Sequence, residues 1–175
     1  MNRQQRDVQS NDVDYRVLCV CLGNICRSPT AEQVLRQQAE RTALRLSVDS
    51  AGTSNYHPNK APDVRSQKYA LQRGYDLSAL RARQIQLRDF CQFDWILAMD
   101  HDNLADIQQL AQQAKQQFGE QAIAQVALMS EHDTLYPKQA VPDPYYGEQA
   151  DFERVLDQCE TSSQAWIAYW LAQQK

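Results

Sequence analysis

Cys21, Arg27 and Ser28 stand close together in VLCVCLGNICRSPTAE, the stretch from Val17 to Glu32. A cysteine thiolate is a nucleophile, and the planar fork of an arginine matches two oxygens of a phosphate. A serine hydroxyl beside the sulfur can donate to it as thiolate, and again when it leaves. Between them run Leu22, Gly23, Asn24, Ile25 and Cys26. Gly and Asn accept left-handed backbone angles, and a loop curled that way turns several N–H groups toward one point. Nucleophile, nest and clamp together describe attack on a phosphate ester. The loop's neighbours favour the ionised sulfur, because a helix N-terminus and the Arg27 charge both face it.

A second string, VPDPYYG from Val141 to Gly147, supplies what such an attack lacks. A departing alkoxide or phenoxide needs a proton, and a carboxylic acid can give one. Asp143 lies between Pro142 and Pro144, which fix their own backbone angles, and Pro144 also restricts Asp143 to extended forms. The result is a stiff loop presenting one acid. Tyr145 and Tyr146 can wall a cleft for an aromatic substrate. Alone, the string reads equally as an ordinary turn with surface tyrosines.

The remaining candidates read more plainly. Cys19 lies inside an apolar run and is a core residue. Cys26 either fills space behind the loop or traps an oxidised Cys21 as a disulfide. A zinc set of Cys19, Cys21, Cys26 and His57 lacks the paired knuckle spacing of such sites. His57, His101 and His132 read as surface residues.

Elements must hold these groups in place. Tyr15 to Cys21 is a buried strand by its apolar run, and the segment from Ser28 follows as a helix, with Ser28 as its cap and Pro29 in its first turn. LSVDSAGT reads as a second strand. APDVRSQKYALQRG reads as a helix between Pro62 and Gly74. Phe93 to Met99 is a third strand, followed by a long helix that Asp100 caps. AIAQVALMS is a fourth strand, and from Asp151 helical spacing runs to the end. Strands alternating with helices predict parallel βαβ units. Cys21 then falls at the carboxyl end of a strand, where α/β sheets collect ligands.

Bulk properties set the outer limits. The chain has 175 residues, 43% of them hydrophobic, enough for one domain with a real core and cramped for two. A net charge of -4 argues against a sequence-blind grip on nucleic acid. Five cysteines, an odd number, argue against a disulfide scaffold and for a reducing cytoplasm. Nothing reads as a leader or as a membrane-spanning run, so membrane insertion is not expected. Residues 1–14 are polar throughout and are expected to be a flexible tail, with the domain spanning 15–175.

The string VLCVCLGNICRSPTAE, joined by SAGT, ARQI, FDWILAMD and VPDPYYG, resembles the low-molecular-weight protein tyrosine phosphatases from about Tyr15 onward. The resemblance implies a single-domain α/β three-layer sandwich, with a four-stranded parallel sheet, flanking helices and a phosphate-binding loop after the first strand. It implies hydrolysis of phosphotyrosine and aryl phosphate through a cysteinyl-phosphate, with no metal and no cofactor. Cys21, Arg27 and Asp143 are then catalytic. Leu22, Gly23, Asn24, Ile25, Cys26 and Ser28 bind phosphate, and Tyr56 faces Tyr145 and Tyr146 across the substrate cleft. The implied partners are phosphotyrosine proteins, with a tyrosine kinase as a candidate and inorganic phosphate as product. The expected state is a monomer or weak dimer. One departure stands out: many members carry a histidine supporting the loop where this chain has Leu80, which leaves open how the Asn24 side chain is held.

Three rival readings use the same residues. Arsenate reductases can share the fold but need two further cysteines as a relay, and Cys91 and Cys159 stand far apart in the sequence. Protein-arginine phosphatases tend to carry Thr where this loop has Ile25. A non-catalytic phosphotyrosine-binding module would lack Cys21, Arg27 or Asp143, and all three are present.

Overall fold

The computed structural model describes residues 13–174. Residues 1–12 of the expected tail, and Lys175, lie outside the described residues. Asp14, grouped with the tail by its polar surroundings, is instead tied to the domain. Its carboxylate accepts the Arg45 backbone N–H at 2.8 Å and pairs with the Arg45 guanidinium at 3.1 Å.

Four strands form one parallel sheet: β1 (Tyr15–Cys21), β2 (Leu46–Gly52), β3 (Trp95–Ala98) and β4 (Gln125–Leu128). Their order is β2-β1-β3-β4, so β1 pairs on both sides and is covered on both faces. That is why its sequence reads as an unbroken apolar run. Alternation decides which side chain goes where. Val17, Cys19 and Cys21 face a layer made by α1 (Arg27–Ala39), α2 (Val64–Gln72) and α5 (Gln149–Gln173). Leu18 and Val20 face the opposite layer, α3 (Asp89–Gln92) and α4 (His101–Phe118). The parallel sheet expected from the alternating pattern, and the three-layer arrangement the resemblance implies, are the ones observed.

Most helix ends follow their sequence signals. Asp100 caps α4, its side chain accepting the Asn103 N–H at 2.7 Å. Asp63 caps α2 through the Arg65 N–H at 2.8 Å, and Gly74 lies past that helix at φ 86°, a value only glycine takes freely. α5 starts at Gln149, ahead of the expected Asp151, because Glu148 and Asp151 form a reciprocal capping box. β3 is shorter than the FDWILAM run because Phe93 ends α3, a helical turn that the sequence pattern did not signal.

Ser28 is the clear exception. α1 begins at Arg27, and Cys26 holds the cap position without a side-chain bond. Ser28 sits inside the first turn, where its hydroxyl is drawn to the Cys21 sulfur. The expected cap is thus spent on the loop.

Candidate active site

Cys21 ends β1 at the carboxyl edge of the sheet, and its sulfur lies 3.3 Å from the Asn24 N–H and 3.0 Å from the Ser28 hydroxyl. The loop from Leu22 to Cys26 leads from there into α1. Several carbonyls along this turn are held by hydrogen bonds. Thr53 N–H donates to Cys21 O at 2.8 Å, Ser54 N–H to Leu22 O at 2.9 Å and Asp63 N–H to Ile25 O at 2.8 Å, while the Thr30 hydroxyl takes Cys26 O at 2.7 Å. A trans peptide points its C=O and N–H in opposite directions, so carbonyls held outward aim the loop's N–H groups inward. The curl is shared differently from what the sequence suggested. Asn24 takes the left-handed angle, φ 56°, and Gly23 does not. Gly23 is instead a close approach: a Cβ there would stand 3.2 Å from the His57 ring. Gly52, at the end of β2, lets the loop come near enough to be held, since a Cβ there would meet Leu22 O at 2.6 Å.

A buried network holds Asn24. Its side-chain amide donates to Ser28 Oγ and Ser50 Oγ, both at 2.9 Å, and its carbonyl accepts the Arg83 backbone N–H at 2.9 Å. That settles the question raised by Leu80, which packs partly buried against the core. Ser50 in turn donates to Glu32 Oε2 at 2.6 Å, and Glu32 pairs with Arg36. Because Ser28 Oγ accepts from Asn24, its own proton is directed at Cys21 Sγ or at Ala51 O, 3.3 Å away. Burial pushes the Glu32 carboxyl above the usual range, against the pull of Arg36.

Arg27 is only 4% exposed. One Nη donates to Asp100 Oδ2 at 2.6 Å and to Val141 O at 3.1 Å, and the other lies 3.6 Å from Asp143 Oδ2. Burial works against its charge, but the Cys21 sulfur, Asp100 and Asp143 outweigh it, so its pKa stands above the ordinary value. Asp143 is half-exposed on a loop without regular structure, and its Oδ1 accepts the Tyr145 N–H at 3.1 Å. Asp143, distant in sequence, is thus brought beside the Arg27 of the Cys21 loop.

The aromatic candidates separate. Tyr145 is partly exposed and meets Tyr146 edge-on at 4.9 Å between ring centres. Tyr146 is 97% exposed, and Tyr56, in the loop after β2, is also well exposed. Cys26 is buried, and burial pushes its thiol up to about 12. All five cysteines are free thiols. Among the described residues no group of three or more His, Cys, Asp or Glu is placed to hold a metal ion, which removes the zinc set. Cys159 packs on the α5 side of the sheet and Cys91 on the α4 side, so the sheet itself separates the two thiols of an arsenate relay.

Sequence reasoning missed several partners. Asp100 was read only as a cap, although it follows β3 at the same sheet edge as Cys21. Glu32, a carboxylate among Ala31, Val34 and Leu35, was a visible signal: a charge on a buried helix face. Ser50 and the Arg83 main chain carried no signal at all.

A parallel α/β sandwich with a cysteine-arginine loop at its carboxyl edge defines a class of phosphate-ester enzymes. Residues 16–175 match the family model for low molecular weight phosphotyrosine protein phosphatase. The chain is 40% identical over 153 residues to the low molecular weight phosphotyrosine protein phosphatase of Homo sapiens, covering 86% of this chain and 92% of that one. Its fold is similar to the crystal structure of a protein tyrosine phosphatase from Entamoeba histolytica, with TM-score 0.82 and 34% identity over 92% of this chain and 99% of the other. It is also similar to a Drosophila arginine phosphatase, with TM-score 0.79 and 28% identity over 88% and 96%. The chain belongs to the low molecular weight protein tyrosine phosphatase family.

Proposed function

We propose that this chain hydrolyses phosphotyrosine and aryl phosphate monoesters in two steps through a cysteinyl-phosphate on Cys21. The observation that carries the reading is the Cys21 sulfur at the foot of a loop with the Leu22 and Ile25 carbonyls held by neighbouring segments, and buried Arg27 paired with Asp143. The sulfur attacks phosphorus and the ester P–O bond breaks. Asp143 gives its proton to the departing phenol. The loop N–H groups of Leu22 to Cys26 and the Arg27 fork hold the three equatorial oxygens as their charge shifts. In the second step Asp143 takes a proton from water, the new oxygen bonds phosphorus, and the S–P bond breaks to release inorganic phosphate. Ser28 donates to the sulfur as it leaves. Positive charge comes from the loop and Arg27, so the scheme calls for no metal and no cofactor.

Tyr145 and Tyr56 supply the aromatic walls of the cleft, with Tyr146 as its outer lip. Phosphotyrosine is preferred over phosphoarginine because Ile25, half-buried in the loop, lacks the hydroxyl that the arginine phosphatases tend to carry there. A mechanism resting on one reduced sulfur suits a cytoplasmic setting. Partners are phosphotyrosine proteins, a tyrosine kinase among the candidates.

The test has two arms. Cys21→Ser should abolish turnover of p-nitrophenyl phosphate while vanadate still binds; residual turnover would remove Cys21 as nucleophile. Rates on phosphotyrosine, phosphoserine and phosphoarginine peptides should rank phosphotyrosine first. A higher rate on phosphoarginine would overturn the substrate assignment.

A further inference from the structure

Arg65 lies in the first turn of α2 and has no part in the proposed chemical steps. Its Nε and Nη2 hold the two carboxylate oxygens of Asp63 at 3.0 and 2.8 Å. Nη2 also donates to the Tyr145 carbonyl at 2.9 Å. The guanidinium carbon stands 5.7 Å from the centre of the Tyr145 ring and 4.8 Å from that of Phe152 in α5. At one end of this bridge, Asp63 donates its backbone N–H to Ile25 O of the phosphate loop at 2.8 Å. At the other, the Tyr145 N–H donates to Asp143 Oδ1 at 3.1 Å. Beyond the Gly147 N–H, which closes the turn onto Pro144 O at 2.8 Å, the Arg65 bond ties residues 142–146 to another element of the fold, α2.

We propose that Arg65 is a positioning residue for the acid: it sets the Asp143 loop at a fixed distance from the phosphate loop, so that the carboxyl meets the leaving oxygen. This inference rests on the function proposed above. The physical argument is one of reach. Pro142 and Pro144 stiffen the loop internally, and Val141 anchors its entry, donating its N–H to Met99 O at 2.7 Å and accepting from Arg27 at 3.1 Å. Arg65 fixes the far side of Asp143, because its planar fork engages Asp63 and Tyr145 at once, and a lysine point charge cannot copy that geometry. Asp63 keeps its bond to the Arg65 backbone N–H when the guanidinium is removed, so α2 retains its cap and the loss falls mainly on alignment.

The experiment measures kcat/KM, which reports the P–O cleavage step, on p-nitrophenyl phosphate and on phosphotyrosine. Arg65→Met should lose roughly 10-fold or more on phosphotyrosine, whose leaving group needs the proton, and less than about 3-fold on p-nitrophenyl phosphate. Arg65→Lys, which keeps the charge and stem, should fall in the same direction and decides the matter if the Met variant fails to fold. Adding Arg65→Met to Asp143→Ala should cost nothing further, since both act through one carboxyl. Vanadate affinity should hold within about 2-fold, because the cradle is untouched. Equal losses on both substrates, an additive double variant, or no loss at all would overturn the role of Arg65. Failure of the unaltered enzyme to turn over either ester would instead overturn the proposed function.

Discussion

The Ser28 hydroxyl accepts from Asn24, which leaves its proton for the Cys21 sulfur at 3.0 Å or Ala51 O at 3.3 Å, the sulfur being the nearer. Ser28→Ala removes this donor and should slow breakdown of the phosphoenzyme, with kcat lower by ~10² on the scale of losing one preorganised donor. Stopped-flow traces should then show a phenol burst followed by a slower steady state; an unchanged kcat would separate Ser28 from the sulfur. Cys26 is five residues away yet chemically distant, buried with its thiol pushed up to about 12. Iodoacetamide at neutral pH should therefore inactivate by labelling Cys21 and spare Cys26, as peptide mapping would report. Asp143→Ala should cost ~10² to 10⁴ on phosphotyrosine and less on p-nitrophenyl phosphate, since only the poorer leaving group needs a proton. A chelator should leave these rates unchanged, and a loss reversed by added metal would contradict the scheme.

At the scale of elements, two carboxylates tie helices to the site with opposite pH signatures. Glu32, on the buried face of α1, holds Ser50 and through it Asn24. Burial raises its pKa, so the folded state prefers it protonated. Its contribution to stability is present below the ordinary value of about 4.3 and is lost as pH rises through the raised one. Relative to the parent, Glu32→Gln should gain stability as pH rises from 4 toward 7, measured by denaturant unfolding, with an opposite slope refuting the assignment. Asp133 works the other way. Burial pushes its carboxyl up, but the Thr161 and Ser162 hydroxyls, at 2.6 and 2.7 Å, and the N–H groups of Tyr136 and Leu135 bring it below the usual range. Its contribution is present above the ordinary value of about 3.9 and is lost as pH falls through the lowered one. These bonds fasten the segment before the Asp143 loop to α5. Asp133→Asn should cost about 1–3 kcal/mol near neutrality, and the difference should shrink in acid.

For the molecule as a whole, α5 closes one face of the sheet with Trp166 and Trp170, both fully buried, and Trp166 Nε1 donates to Met129 O at 2.8 Å. Trp166→Ala should cost roughly 3–5 kcal/mol, read by thermal or denaturant unfolding. The layering also bears on chemistry: with Cys91 and Cys159 on opposite sides of the sheet, no arsenate relay can be assembled from them. No helix among the described residues is long and apolar enough to cross a membrane.

The strings CLGNICRS and VPDPYYG were legible because their patterns are local: a strand end, a curled loop and a helix start lie within a few residues, and two prolines stiffen the segment around one carboxylate. The sheet was legible for a related reason, since burial on two faces writes itself as apolar runs, and alternating periods write the crossovers. What only the tertiary structure decided is the set of long-range bonds. Asp100 and Val141 O orient Arg27 from 73 and 114 positions away, and Ser50 and Arg83 hold Asn24 from 26 and 59. Such bonds leave no periodicity, because one polar side chain can meet any backbone group the fold brings near. Ser28 marks the boundary: its residue type suggested a helix cap, and the approach of Cys21 and Asn24 in three dimensions gave its hydroxyl to the sulfur.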